Sequence, residues 1–137
     1  MIGKLAEFFS TCTELSESGV MVNYLDKEPF SAALIMCGED TLETEYTDGG
    51  QIRHAKFILA IRQEYSGANS QNFLAAKRCG EIEKWIKAQD DRRNLPQLES
   101  PRRVLSVSVE KGFEITQTGS VDARFEAEIK VVYFMEK

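Results

Sequence analysis

Tyr46-Thr-Asp-Gly-Gly-Gln-Ile-Arg-His-Ala-Lys-Phe-Ile-Leu-Ala-Ile-Arg-Gln-Glu-Tyr65 is the stretch on which the reading of this chain turns. Asp48-Gly49-Gly50 accept positive φ at little cost and mark a tight turn. Before the turn, Thr41 to Thr47 alternates, with Leu42, Thr44 and Tyr46 on one face and Thr41, Glu43, Glu45 and Thr47 on the other. After it, Ala55, Phe57, Leu59 and Ile61 share one face, while His54, Lys56, Ile58, Arg62 and Glu64 fall largely on the other. A period of two on both sides of a turn predicts a β-hairpin over Tyr46 to Tyr65.

Downstream, Gly67-Ala68-Asn69-Ser70 breaks the strand, and Asn69 or Ser70 suits the cap of a helix. Ala75, Cys79, Ile82 and Ile86 then form an apolar stripe, widened by Ala76 and Trp85; the helix should fade by Asp90-Asp91-Arg92-Arg93, and Pro96 forbids its continuation into the polar connector 94–103. The last third alternates again. Leu105, Val107 and Val109 oppose Val104, Ser106, Ser108 and Glu110; Phe113 to Thr118 forms a further strand after Gly112. Gly119-Ser120 then turns into a closing strand whose Phe125, Ala127, Ile129, Val131, Tyr133 and Met135 share a face. Upstream, Ile2, Leu5, Phe8, Phe9, Cys12 and Leu15 recur at three and four and predict a helix ended by Ser18-Gly19. Val20 to Leu25 reads as extended and Asp26 to Pro29 as a turn; for Phe30 to Cys37 periodicity does not separate strand from helix. The order α-β-(β)-β-β-α-β-β-β predicts one α+β domain over 1–137, a mostly antiparallel sheet with two amphipathic helices on one face.

Bulk properties set the class. At 137 residues the chain can bury a core of its own, and 42% apolar with 28% charged residues argues against wholesale disorder. A formal net charge of −5 disfavours nonspecific binding to a polyanion, so no specific nucleic-acid partner is expected. Glu7 interrupts the first apolar run, and no stretch approaches the roughly 18 apolar residues of a membrane span, so the chain is expected to stay where it is made, with no membrane partner. Cys12, Cys37 and Cys79 are an odd number at wide spacing without a CxxC pair, which fits free thiols in a reducing cytosol.

A search for chemistry returns little. His54 is the sole histidine and no motif nominates a partner for it as a general base; it reads as a solvated surface residue beside Lys56 and Arg62. The carboxylates at Glu39-Asp40, Glu43, Glu45 and Asp90-Asp91 lack companion His or Cys and EF-hand spacing, so neither metal nor cofactor is expected. G-x-S-x-G, P-loop and G-x-G-x-x-G patterns are missing, and catalytic residues are expected to be none. Arg92-Arg93 and Arg102-Arg103 flank Asn94-Leu-Pro-Gln-Leu98; they read as a charged linker first and as partners for carboxylates of another subunit second.

Several segments, taken in order, resemble the tail terminator (minor capsid) proteins of tailed bacteriophages and phage-tail-like particles of Gram-positive bacteria. They are Val22-Asn-Tyr-Leu25, Tyr46-Thr-Asp-Gly-Gly50 with the strand Ala55 to Tyr65, the helix ending Trp85-Ile86, Asn94-Leu-Pro-Gln-Leu98, and Ala123-Arg-Phe-Glu-Ala-Glu-Ile-Lys-Val-Val-Tyr133. The resemblance implies a structural protein and not an enzyme. It implies a homo-oligomer, usually a hexameric ring, that caps the tail tube protein, stops its polymerisation and meets the sheath or the neck and head-completion proteins. DNA passes through such a ring without specific recognition. The setting implied is the bacterial host cytoplasm during assembly, then the head-proximal end of the tail in the virion.

A ring needs one patch to meet a different patch on the next copy. Patterning nominates Lys56, Ile58, Arg62, the hairpin from Lys111 through Phe113 to Arg124, and the acidic Glu43 and Glu45 as their complement. Two other classes compete: a head-completion or connector protein docking on the portal, and a small ligand-binding α+β domain with a cleft of convergent titratable groups.

Overall fold

The computed structural model of the chain describes residues 1–15, 19–28, 30–38, 40–65 and 69–137, with side chains from 72 onward in the last segment. The expected break at Gly67-Ala68, the capping side chains of Asn69 and Ser70, Ser18 as a helix end, Pro29 and Glu39 therefore lie outside the described residues. The elements run α1 (Ile2–Phe9), β1 (Val20–Val22), β2 (Ala32–Met36), β3 (Thr41–Glu45), β4 (Gln51–Glu64), α2 (Asn69–Asp91), β5 (Arg102–Thr118) and β6 (Asp122–Met135). This is the α+β fold expected: a six-stranded sheet in the order β1-β2-β4-β6-β5, with β3 also on β4, and β1–β2 the parallel pair among otherwise antiparallel ones.

The hairpin that decides the fold is present. Glu45 lies opposite Gln51, the Tyr46 N–H donates to the Gly50 carbonyl at 2.7 Å, and the Gly50 N–H donates to Asp48 Oδ1 at 2.8 Å. Gly49 sits at φ +91, a conformation a Cβ disfavours. β4 and β6 then pair along fourteen residues each, from Gln51–Met135 to Glu64–Asp122. Their inward side chains Leu59, Ile61, Ile129, Val131 and Tyr133 are buried with Leu5, Phe9, Ile82 and Ile86 of the helices. Each such side chain contributes about 1.5–3 kcal/mol by leaving water. Trp85 joins the two helices, its ring centroid 5.1 Å from Phe8 and 6.2 Å from Phe9.

Three expectations need correction, and one reading left open is decided. α1 ends at Phe9 instead of running to Leu15. Ser10 Oγ and Thr11 Oγ1 donate back to the Ala6 and Phe8 carbonyls, and Thr11, Cys12 and Leu15 turn by i→i−3 bonds. Short hydroxyl side chains compete with the helix ladder in this way. Cys12 and Leu15 stay buried because the tightened turns carry the apolar stripe onward. Second, within Phe30 to Cys37, left open between strand and helix, Ala32 to Met36 forms a strand paired to Phe57 to Ile61.

Third, β5 is one strand of seventeen residues rather than two, so two strands follow α2 instead of three. Gly112 lies inside it, where a Cβ would stand 2.9 Å from Glu83 Oε1 of α2. Fourth, bulges shift the faces, since one extra residue reverses the inward-outward phase of all that follows. A register shift between Val104 and Ser106 sets Val104 opposite Tyr133 and Val107 opposite Val131, so Val104 and Val107 are buried and Leu105 is displaced from the face assigned to it. A shift between Leu42 and Thr44 separates Glu43 from Glu45: Glu43 lies beside His54 on the outer face, while Glu45 lies beside Gln51.

The end of α2 carries its own signal. Arg93 adopts φ +59, its N–H donates to the Asp90 carbonyl, and the Asn94 N–H donates to the Gln89 carbonyl at 2.9 Å. This is a Schellman stop with Arg93 where glycine is usual, followed by Pro96.

Candidate interaction surface

Both helices lie on one side of the sheet; on the other, the segment before β2 covers Ala33 and Ala60 and the remainder presents charged side chains. Strand register dictates its chemistry. Lys56 lies directly opposite Lys130, and Arg62 directly opposite Arg124, a like-charge arrangement that is destabilising unless acids intervene. Acids intervene at every point. Lys56 Nζ is 3.2 Å from Glu128 Oε1, Arg124 Nε donates to Glu126 Oε2 at 2.7 Å, and Arg62 lies 3.7 Å from Asp122 Oδ2. Lys130 Nζ is 3.6 Å from Glu43 Oε1, which also lies 2.7 Å from His54 Nδ1. His54 thus hydrogen-bonds the Glu43 carboxylate and is not a solitary solvated residue.

The nominated residues are distributed unevenly. Glu43, Lys56, Arg62 and Arg124 share this outer face in two separate groups, Glu43 and Lys56 around Lys130 and Arg62 opposite Arg124, about 20 Å further along β4. Ile58 packs with Ile35 against a small second cluster of Leu25, Ala33 and Ala60. Arg62 also donates to the Asp26 carbonyl at 2.9 Å, which ties the segment before β2 to the sheet. Phe113 packs against the main core, and Lys111 pairs with Glu114 at 3.4 Å on the outer strand β5. Glu45 accepts from the Gln51 amide at 2.8 Å. Lys56, Arg62 and Arg124 therefore already hold carboxylates of their own chain, which weakens their claim on Glu43 and Glu45 of another copy.

Sequence reasoning missed two polar clusters. Arg78 is buried at 8% exposure although charged. It donates to the Glu14 carbonyl at 2.9 Å, to Gln63 Oε1 at 2.9 Å and to the Phe30 carbonyl at 3.3 Å, and its guanidinium lies 5.6 Å from the Phe30 ring centroid. It holds Phe30 in a left-handed conformation, φ +66, which costs a bulky residue about 1 kcal/mol or more. The signal was present: Ala75, Arg78, Cys79 and Ile82 fit one helical stripe. Arg78, Thr13, Glu14, Phe30 and Leu74 border an open cleft of about 300 Å³.

The second cluster joins elements distant in sequence. Tyr133 donates to Asp40, and Arg53 Nε donates to the same carboxylate at 3.0 Å. Burial and then the Asp40 carboxylate push the Tyr133 hydroxyl up to about 12. Asp40 was weighed only as a metal ligand and set aside; its partners become visible once Arg53 and Tyr133 are seen to lie opposite one another in register.

Burial pushes the Cys79 thiol up to about 11 and also raises Cys12, whereas Cys37 is partly exposed. Among the described residues no group of three or more His, Cys, Asp or Glu is placed to hold a metal ion. None of the described helices is long and apolar enough to cross a membrane.

At the start of β5, Arg93, Arg102 and Arg103 line a hollow of about 180 Å³ with Leu95 and Pro96. Arg103 lies over the Phe134 ring at 5.6 Å, and Phe134 meets Tyr46 at 6.3 Å between centroids. Arginine and aromatic side chains at a partly open surface are the composition of interface hot spots. No family model matches this chain, and no curated protein matches it, so what can be said of it rests on the one-sided sheet, its charge lattice and this arginine rim.

Proposed function

We propose that the chain is a structural assembly subunit of the tail-terminator kind, which forms a ring on the end of a phage tail tube, stops its growth and presents the other face of the ring to the neck or sheath end. The observation that carries this reading is the one-sided sheet: the helices cover one face, while the opposite face, apart from the patch where Leu25 covers Ala33 and Ala60, presents the charged side chains of β4 and β6. A subunit that works by contact needs broad, rigid, charged surfaces. β4 and β6 provide one, because fourteen-residue strands paired end to end resist local deformation. Its charges are mutually neutralised in rows, which keeps an exposed sheet soluble and blocks indiscriminate pairing. The segments that resemble tail terminators add the identity of the tube and its capping role.

The test is tail length. Particles assembled without the chain should carry abnormally long tubes in negative stain, and supplying the chain should restore a uniform length. Normal lengths, with empty or leaking heads, would move the chain to head completion at the portal.

A further inference from the structure

Lys56, Arg62, Arg124 and Lys130 each face a carboxylate of their own chain, but the arginines at the start of β5 do not. Among the described residues no carboxylate lies within ion-pair reach of Arg102 or Arg103, and Arg102 Nε, shielded from solvent, has no acceptor. Arg93 is held by Asp90 at 3.9 Å and by the Leu105 carbonyl. On the opposite flank of the sheet the imbalance has the other sign. Glu45 accepts only the Gln51 amide, Asp48 accepts the Gly50 N–H, and neither has a cation within ion-pair reach among the described residues. Residues 92–103 hold four arginines and one glutamate; residues 41–50 hold Glu45 and Asp48 beside Glu43, which Lys130 already pairs, and the Lys137 side chain lies against Gly49 without an ion pair to either.

Register sets these two rims at one level. Arg102 lies opposite Met135, Met135 opposite Gln51, and Gln51 opposite Glu45. Three inter-strand steps, about 14 Å, separate the basic flank from the acidic one. Within one molecule the Phe134 ring stands between Arg103 and the turn at Gly50, and among the described residues no ion pair joins the two rims. They meet when copies stand side by side in the same orientation.

We infer that copies of this chain join side by side, the Arg102–Arg103 rim of one receiving Glu45 and Asp48 of the next. This rests on the assembly reading above and names its contact. Guanidinium groups take carboxylates in bidentate fashion, and stacking of Arg103 on Phe134 leaves its N–H edges available. The contact is heterologous, so it propagates, and a ring results when the rotation per copy closes. Nucleic-acid phosphate is the competing anion for the arginines, but it offers nothing to the acidic flank, whereas a second copy answers both.

Charge swapping tests the contact. Sedimentation velocity at low salt should show wild-type protein as an oligomer that dissociates as salt rises. R102E/R103E alone and E45R/D48R alone should be monomeric, with far-UV circular dichroism unchanged; E45R alone guards against damage to the turn at Asp48. Mixed in equal amounts, the two double variants should recover the oligomer by alternating, and the quadruple variant should recover it by itself. Wild-type protein monomeric at every concentration, variants that assemble like wild type, or a mixture that stays monomeric each overturns the contact. So does duplex DNA that binds wild type and not R102E/R103E while assembly is unaffected. Long tails without the chain would leave the capping role standing in any of these cases.

Discussion

Replacing Arg78 by methionine probes how the helices are fastened to the sheet. The substitution keeps the apolar stem and removes the guanidinium, and with it bonds to Glu14, Gln63 and Phe30. The Glu14 and Phe30 carbonyls are partly buried and regain water at small cost. Gln63 is only 4% exposed, so its orphaned amide oxygen costs about 1–3 kcal/mol. Phe30 also loses a restraint on its left-handed backbone. Because methionine carries no charge, folding the variant no longer desolvates a cation, which offsets part of this. The net expectation is a loss of about 2–3 kcal/mol, or a fall in Tm of roughly 6–12 °C for a chain of this size. Urea unfolding with an unchanged m-value measures it. R78M combined with Q63L should lose about 1 kcal/mol less than the sum of the single variants, because the orphaned amide is gone. A loss below about 0.5 kcal/mol for R78M, or strict additivity in the double variant, refutes the clasp.

Three further outcomes follow from the outer face, the buried phenol and the thiols. E128Q removes the carboxylate beside Lys56 and leaves Lys56 facing Lys130, so it should cost about 0.5–1 kcal/mol at low salt and less at high salt; equal cost at both contradicts the lattice. Tyr133 favours its neutral form in the fold, so its stabilising effect is complete below pH 10 and fades as pH rises toward about 12. Ultraviolet titration of the folded protein should show one phenol ionising last, and Y133F should remove that step and flatten the alkaline loss of stability. Cys37 should react with a disulfide reagent well before Cys12 and Cys79, and C37S should abolish the fast phase; an unchanged fast phase contradicts the burial assigned to the other two.

The sequence was legible where one signal dominated. Asp48-Gly49-Gly50 fixed the hairpin, and the alternation in Ala55 to Ile61 and Phe125 to Tyr133 named the buried faces correctly, because uninterrupted antiparallel pairing preserves a period of two. β5 resisted the same reading because its bulges reset the phase, and a bulge is a property of the pair rather than of the strand. α1 was overextended because Cys12 and Leu15 keep the helical stripe while Ser10 and Thr11 undo the helix. Of the nominated surface residues, those on β4 and β6 do lie on one face, but patterning gave no sign that Ile58 is partly covered there or that each cation already had an acid. Ion pairs across strands depend on register, and register is fixed by the fold. Arg102 and Arg103 were visible as a charged pair; only the structure shows that no described carboxylate reaches them.

The central claim is that this chain acts at the tip of a tube. Purified tail tubes incubated with the chain carrying a gold label on its N-terminus address it in a single electron micrograph series. The account expects label at one end of each tube, in a ring of fixed copy number, and no further growth from that end when tube subunits are added. Label scattered along the tube, label on isolated portals alone, or continued growth from a labelled end contradicts it.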